Sequence, residues 1–68
     1  MNVDRLVAMA NEIAAFFASE QDEAVAADQV ANHLRRFWEP RMRRAIVAHL
    51  QSGGTGLTHL ARSGVARL

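Results

Sequence analysis

The sequence contains no cysteine and no lysine, only one proline and one tryptophan, and no long apolar run. Without cysteine the chain forms neither a disulfide nor a thiolate metal site, which is compatible with a reducing compartment. No apolar stretch approaches the roughly 20 residues needed to span a membrane. Asp4 and Arg5 interrupt the start of the chain, where a signal peptide would be apolar. We therefore expect neither a signal peptide nor a membrane-spanning segment.

The chain is also short. Its 68 residues predict a single domain spanning 1–68, and a domain of this size buries only about 60% of the surface that its unfolded chain exposes. Such a core rarely supplies more than roughly 3–5 kcal/mol, and natural mini-proteins add a disulfide, a metal or a partner. With no cysteine available, oligomerisation or a larger partner remains as the usual source of extra stability.

Alanine is abundant, and the apolar residues follow a helical rather than an alternating period. This predicts an all-α fold, a small bundle of three helices at about 3–19, 23–38 and 40–51. A short, weak fourth helix is expected at about 58–67. Asn2 or Asp4 can cap the first helix and Asp22 the second. Apolar residues cover about half of the first helix, which is more than one neighbouring helix needs.

Pro40 and two glycines mark further boundaries. Pro40 disfavours helical geometry at Glu39 and suits the first turn of the third helix. Gly53 is expected to terminate that helix. Gly64 lies inside the fourth helix, where glycine costs about 1 kcal/mol relative to alanine. We therefore expect a short fourth helix that can fray and that is the least ordered part of the chain unless it docks on something.

Residues 33–44, HLRRFWEPRMRR, contain five of the eight arginines around the only tryptophan and the only proline. We expect Phe37 to lie in the core, and the sequence leaves Trp38 open between the core and an interface, where tryptophan and arginine are enriched. Glu39 can pair with Arg43, four residues on. The helical period spreads the arginines around two helices, and the net charge is only +1. Binding to nucleic acid through Arg35–Arg44 is therefore kept only as an alternative.

Catalytic and metal-binding motifs are absent from the sequence. His33, His49 and His59 have no compact ligand spacing, and we expect each to be a half-buried packing residue. No serine lies in a nucleophile motif, and no carboxylate pair lies in an obviously apolar setting. We expect no catalytic, cofactor-binding or metal site, and hence no enzyme activity of the isolated chain.

Several motifs together resemble a known family. They are MANEIA at 9–14 with Phe16 and Phe17, the block ANHLRRFWEPRMR at 31–43, and the turn GGTGL at 53–57. They look like the delta subunit of NAD-dependent formate dehydrogenase, over about residues 3–60. The aromatic pair followed by EPRMR is the most specific part. The tail departs from the family pattern at His59 and Gly64.

The resemblance implies a non-catalytic subunit of a cytoplasmic complex that oxidises formate to carbon dioxide and passes electrons to NAD. The complex would hold a molybdenum or tungsten pyranopterin centre, iron–sulfur clusters and FMN, none of them bound by this chain. Delta subunits would support assembly, stability or cofactor maturation of the catalytic subunit.

We expect the chain to dock on the large catalytic subunit through its first-helix aromatics and the corner at Pro40, without binding nucleic acid or membrane. A freestanding helical homo-oligomer is the other alternative. The predicted partner-binding residues are Phe16, Arg35, Arg36, Trp38, Glu39, Pro40, Arg41, Arg43 and Arg44.

Overall fold

The computed structural model describes all 68 residues. It contains four α-helices and no strand. The helices are α1 (Val3–Phe17), α2 (Glu23–Phe37), α3 (Pro40–Gln51) and α4 (His59–Ala66). The predicted all-α fold is confirmed, with every helix boundary within about two residues of its expected place. None of the four helices is long and apolar enough to cross a membrane.

Short polar side chains start the first two helices. The Asn2 carboxamide oxygen accepts a hydrogen bond from the backbone N–H of Asp4 at 2.9 Å, so Asn2 rather than Asp4 is the N-cap of α1. The Asp22 carboxylate accepts from two backbone N–H groups of α2 at 3.0 and 3.3 Å. Both satisfy N–H groups that have no partner inside the helix. Glu39 is extended, with ψ 152°, and Pro40 opens α3 as expected.

The predicted terminator of α3 is also confirmed. Gly53 and Gly54 both have positive φ angles, of 123° and 66°, which glycine adopts without strain. The N–H of Gly53 donates to the Leu50 carbonyl at 3.1 Å, and that of Gly54 donates to the His49 carbonyl at 2.9 Å. This pair of bonds is a Schellman motif, which satisfies carbonyls at the helix end.

The core is built from one face of each helix. Its largest fully buried side chains are Leu34, Ile46, Val30 and Val65, contributed by α2, α3 and α4. The first helix adds Leu6, Val7, Ala10 and Ala14. Ile46 is the only buried residue of α3, and the partly buried Met42, Ala45, Val47 and Leu50 pack against the core around it.

The fourth helix is an integral part of this core rather than a frayed end. Ala61, Gly64 and Val65 are all buried, and the Thr58 hydroxyl caps the first turn. Gly64 lies where α4 meets α2, and a Cβ atom placed on it would come 2.7 Å from the Cβ of Val30 and closer still to its Cγ1. The glycine that weakens α4 locally is therefore what lets α4 approach α2.

Asn11 holds the loop between α3 and α4 against α1. Its side-chain N–H donates to the Gly56 carbonyl at 2.9 Å, and its side-chain oxygen accepts from the Thr58 N–H at 2.9 Å. Gly56 has φ 89°, a conformation that favours glycine. Asn11 is therefore a clamp that uses both polar ends of one carboxamide.

The close approach at Gly64 makes a testable prediction. In an exposed helix, changing Gly64→Ala would stabilise by about 1 kcal/mol. Here the added methyl group meets Val30, so we expect the substitution to destabilise the fold by about 1–3 kcal/mol, as overpacking does. Urea unfolding followed by helical circular dichroism measures the change.

The control is the same substitution in a chain that already carries Val30→Ala, which removes the closest contact, to Cγ1, and keeps only the contact to the Cβ atom of residue 30. We expect Gly64→Ala to cost at least about 1 kcal/mol less in that background, because the two sites are in contact. Equal costs in both backgrounds would contradict the packing explanation.

Candidate interaction surface

Four rings form a continuous row across α1 and α2, which we call the aromatic surface: Phe16, Phe17, His33 and Phe37. Phe16 and Phe17 meet edge to face, with ring centroids 5.1 Å apart and planes at 88°. The Phe17 and His33 centroids are 6.3 Å apart, and those of His33 and Phe37 are 4.7 Å apart. These are favourable aromatic distances, so the rings support one another as a single surface.

The outer rings of this row are strongly exposed. The exposed fraction is 80% for Phe16 and 66% for Phe37, the two largest values among the phenylalanines and the tryptophan. Two phenylalanines exposed to this degree present on the order of 300 Å² of apolar surface. Patches of this size on small proteins are often functional.

The prediction that Phe37 lies in the core is wrong, and Trp38 occupies the core instead. Phe37 and Trp38 are three and four residues after the buried Leu34, so the helical period alone does not decide between them. α2 ends at Phe37, and Trp38 takes extended geometry with φ −89° and ψ 140°. The Trp38 side chain is only 5% exposed and packs in the core, whereas Phe37 stays outside on the last turn of α2.

A shallow depression opens on the aromatic surface. It is lined by Glu12, Ile13, Phe16, Phe17 and His33. Ile13 is half-buried and packs against the core, so it links the lining of the depression to the core. The lining is mainly apolar, and Glu12 is its one carboxylate.

One acidic and one basic residue adjoin the aromatic surface. Glu12 is exposed beside the depression, and the Arg36 guanidinium carbon lies 5.6 Å from the centroid of the Phe37 ring. This distance is within the range of a cation–π contact. The two ion pairs of the chain, Arg67–Asp28 and His59–Glu23, include neither Glu12 nor Arg36.

Arg43 has an internal role that its position in the sequence did not reveal. One Arg43 guanidinium nitrogen donates to the Trp38 carbonyl at 2.7 Å and to the Arg35 carbonyl at 3.0 Å. These carbonyls lie at the end of α2, where no N–H group of the helix is left to bond them. The predicted ion pair between Arg43 and Glu39 does not form, because the guanidinium turns to the carbonyls instead. Arg43 thus fixes the corner between α2 and α3.

Other arginines join elements that are distant in sequence. The Arg35 guanidinium donates to the Arg67 carbonyl at 3.1 Å, which links α2 to the end of α4. Arg67 pairs with Asp28 at 2.8 Å. Arg62 donates to the two carbonyls of the glycine turn after α3, at 3.0 and 2.9 Å. Part of the arginine content of the chain therefore serves the fold.

The structure separates the predicted partner-binding residues into three groups. Phe16 and Arg36 belong to the aromatic surface and its edge, while Trp38, Arg35 and Arg43 are buried or engaged in internal hydrogen bonds. The others are exposed at the corner and along α3: Glu39, Pro40, Arg41 and Arg44. Sequence reasoning missed His33 and Phe37 as members of the surface. Their four-residue spacing on α2 is the signal that could have paired them. The partner-binding role of each residue stays a prediction.

The three histidines lie apart from one another. His33 and His49 are half-buried, as expected, and the His49 ring nitrogen lies 2.8 Å from the Thr55 carbonyl oxygen. His59 is exposed, contrary to expectation, with its ring nitrogen 3.7 Å from the Glu23 carboxylate. The chain holds no group of three or more histidine, cysteine, aspartate or glutamate side chains arranged to bind a metal ion.

Fold and surface together define a small four-helix, all-α protein with an exposed aromatic surface. The family described as NADH-dependent formate dehydrogenase delta subunit FdsD matches residues 5–65, and the chain belongs to this family. The resemblance noted from the sequence is thereby confirmed, and the match extends through α4 to Val65. Comparison with curated proteins gives no match, and neither does comparison with solved structures.

The different positions of Arg43 and Arg41 predict different effects on stability. Arg43→Ala removes a charged donor from two carbonyls, and we expect a loss of about 1–2 kcal/mol in the free energy of unfolding, given the partial exposure of the site. Arg41→Ala is the matched control and should change stability by no more than about 0.5 kcal/mol. Urea unfolding followed by Trp38 fluorescence measures both. Equal stability of the two variants would contradict the internal role of Arg43.

Proposed function

We propose that this chain is a non-catalytic accessory subunit that docks on the large catalytic subunit of a cytoplasmic NAD-dependent formate dehydrogenase. Docking would support the assembly, stability or cofactor maturation of that subunit. Membership of the delta subunit family supports the identity of the complex. The exposed aromatic surface is the observation that supports docking.

The energetics of the surface favour a protein partner. At roughly 25 cal/mol per Å², covering the 300 Å² offered by Phe16 and Phe37 would contribute on the order of 7 kcal/mol before the costs of association. This gain is comparable to the whole net stability expected for so small a core. A chain whose small core and exposed rings contribute comparable free energies gains much of its stability from the complex.

The chain would act on cofactors through the partner rather than by ligating them. We propose that the molybdenum or tungsten pyranopterin, the iron–sulfur clusters, FMN and NAD are all held by other subunits. The sequence offers no cysteine, the usual ligand of iron–sulfur clusters. The chain would then contribute through binding alone, because it would stabilise the catalytic subunit in a form that takes up or retains its cofactor.

Protein docking is also favoured over the nucleic-acid alternative. Arg35 and Arg43 donate to backbone carbonyls within the chain, so fewer arginines of the 33–44 segment are available for phosphates. The aromatic surface carries Glu12 at one edge, which would repel a phosphate backbone.

Co-expression tests the proposal. The formate dehydrogenase subunits are produced with and without this chain, and a tag on the chain is used to recover its partners. We expect the large subunit to co-purify with the tagged chain. Preparations lacking the chain should contain less assembled complex or less molybdenum or tungsten per large subunit, as measured by elemental analysis.

The proposed absence of a catalytic role predicts a further result. Purified alone, it should not reduce NAD with formate. Absence of the large subunit from the recovered material, together with unchanged metal content and assembly when the chain is omitted, would contradict the proposed function.

A further inference from the structure

We propose that the aromatic surface, and not the exposed arginines of α3, is the face that contacts the catalytic subunit. The inferred occupant is a segment of that subunit with an apolar side chain that enters the depression and a carboxylate that pairs with Arg36. This inference rests on the proposed function and adds the face and the chemistry of the partner.

The depression fits one apolar side chain. Phe16, Phe17 and His33 line it together with Ile13, which packs against the core. Because the rings contact one another in sequence, they form a surface that is already ordered before binding. Ordered aromatic anchors lose little conformational freedom on association, which favours their use at the centre of an interface.

Arg36 specifies the charge of the partner. It is exposed, stands beside the ring of Phe37, and takes part in neither ion pair of the chain. A carboxylate arriving here would meet a guanidinium whose surroundings are partly shielded from water by the phenylalanine. Arginine in such a position suits a planar, two-point contact with a carboxylate.

Glu12, which lines the depression, adds a negative charge to the surface. A segment with its carboxylate at Arg36 and a basic or hydrogen-bond-donating group near Glu12 pairs with both charges. The reverse orientation places like charges together, which is unfavourable. The pair of charges therefore favours one orientation of the partner segment on the surface.

The size of the surface favours a larger partner over a second copy. Stable interfaces bury about 800 Å² on each side, whereas the two exposed phenylalanines supply on the order of 300 Å². Two copies meeting through the same row of rings would therefore bury much less than the area of a stable interface on each side. The chain measures only 32 × 23 × 17 Å, so a large subunit can surround the edges of the surface as well as its centre.

Two pairs of variants test the inference by binding to the co-expressed complex that lacks this chain. The first pair compares a double variant, Phe16→Ala with Phe37→Ala, with the control Val25→Ala. Val25 is 42% exposed and takes no part in the aromatic surface. The second pair is Arg36→Glu against Arg41→Glu, which makes the same charge change on α3. Circular dichroism confirms that each variant is folded.

We expect the double phenylalanine variant and Arg36→Glu each to weaken binding by at least about tenfold, the loss typical of residues at an interface centre. Val25→Ala and Arg41→Glu should stay within about twofold of the parent chain. Affinity of the parent should fall as salt is raised, and that dependence should be smaller for Arg36→Glu.

Three results would overturn the inference. The first is a loss with Arg41→Glu that equals or exceeds the loss with Arg36→Glu. The second is full binding by the double phenylalanine variant. The third is a double phenylalanine variant that loses self-association, seen by light scattering, but keeps its binding to the complex. The occupant of the surface would then be a second copy of the chain. If the parent chain itself does not bind, the proposed function fails and this inference fails with it.

Discussion

The rest of the structure depends on the close approach of α4 to α2, where Gly64 packs against Val30. Without a side chain at Gly64, α4 lies near enough to bury Ala61 and Val65 and so completes the core. The approach also brings Arg67 within reach of α2, and the loop before α4 reaches the clamp at Asn11. A helix that is weak by composition thus becomes the element that closes the bundle. The same closure holds α1 and α2 together, and these two helices carry the row of rings.

The arginine-rich segment serves the fold as much as the surface. Arg35 and Arg43 satisfy carbonyls at helix ends, and Trp38 fills the core between helices. Only Arg36 combines exposure with a place beside the exposed rings. In the docking that we propose, the row of aromatic rings would be the apolar anchor and the charges of Arg36 and Glu12 would orient the partner segment. Such a contact would give a small subunit a defined place in the formate dehydrogenase complex to which its family belongs.

Local signals predicted most of the fold. Asn2, Asp22, Pro40 and Gly53 act through neighbours a few residues away, so their roles could be inferred from the sequence. The role of Gly64 could not, because its partner Val30 lies 34 residues earlier in the chain and helix propensity describes only the local cost. The site was predicted in part. Phe16 was identified, but Phe37 and Trp38 lie on either side of the buried stripe, and only the backbone turn at Trp38 decides which ring enters the core.

The most direct test of docking through the aromatic surface is hydrogen exchange of this chain, measured alone and within the assembled complex. We predict that exchange slows on assembly over residues 12–18 and 33–38, which carry the aromatic surface, while residues 40–51 of α3 exchange as they do in the isolated chain. Slowing confined to α3, with unchanged exchange over 12–18 and 33–38, would contradict docking through the aromatic surface.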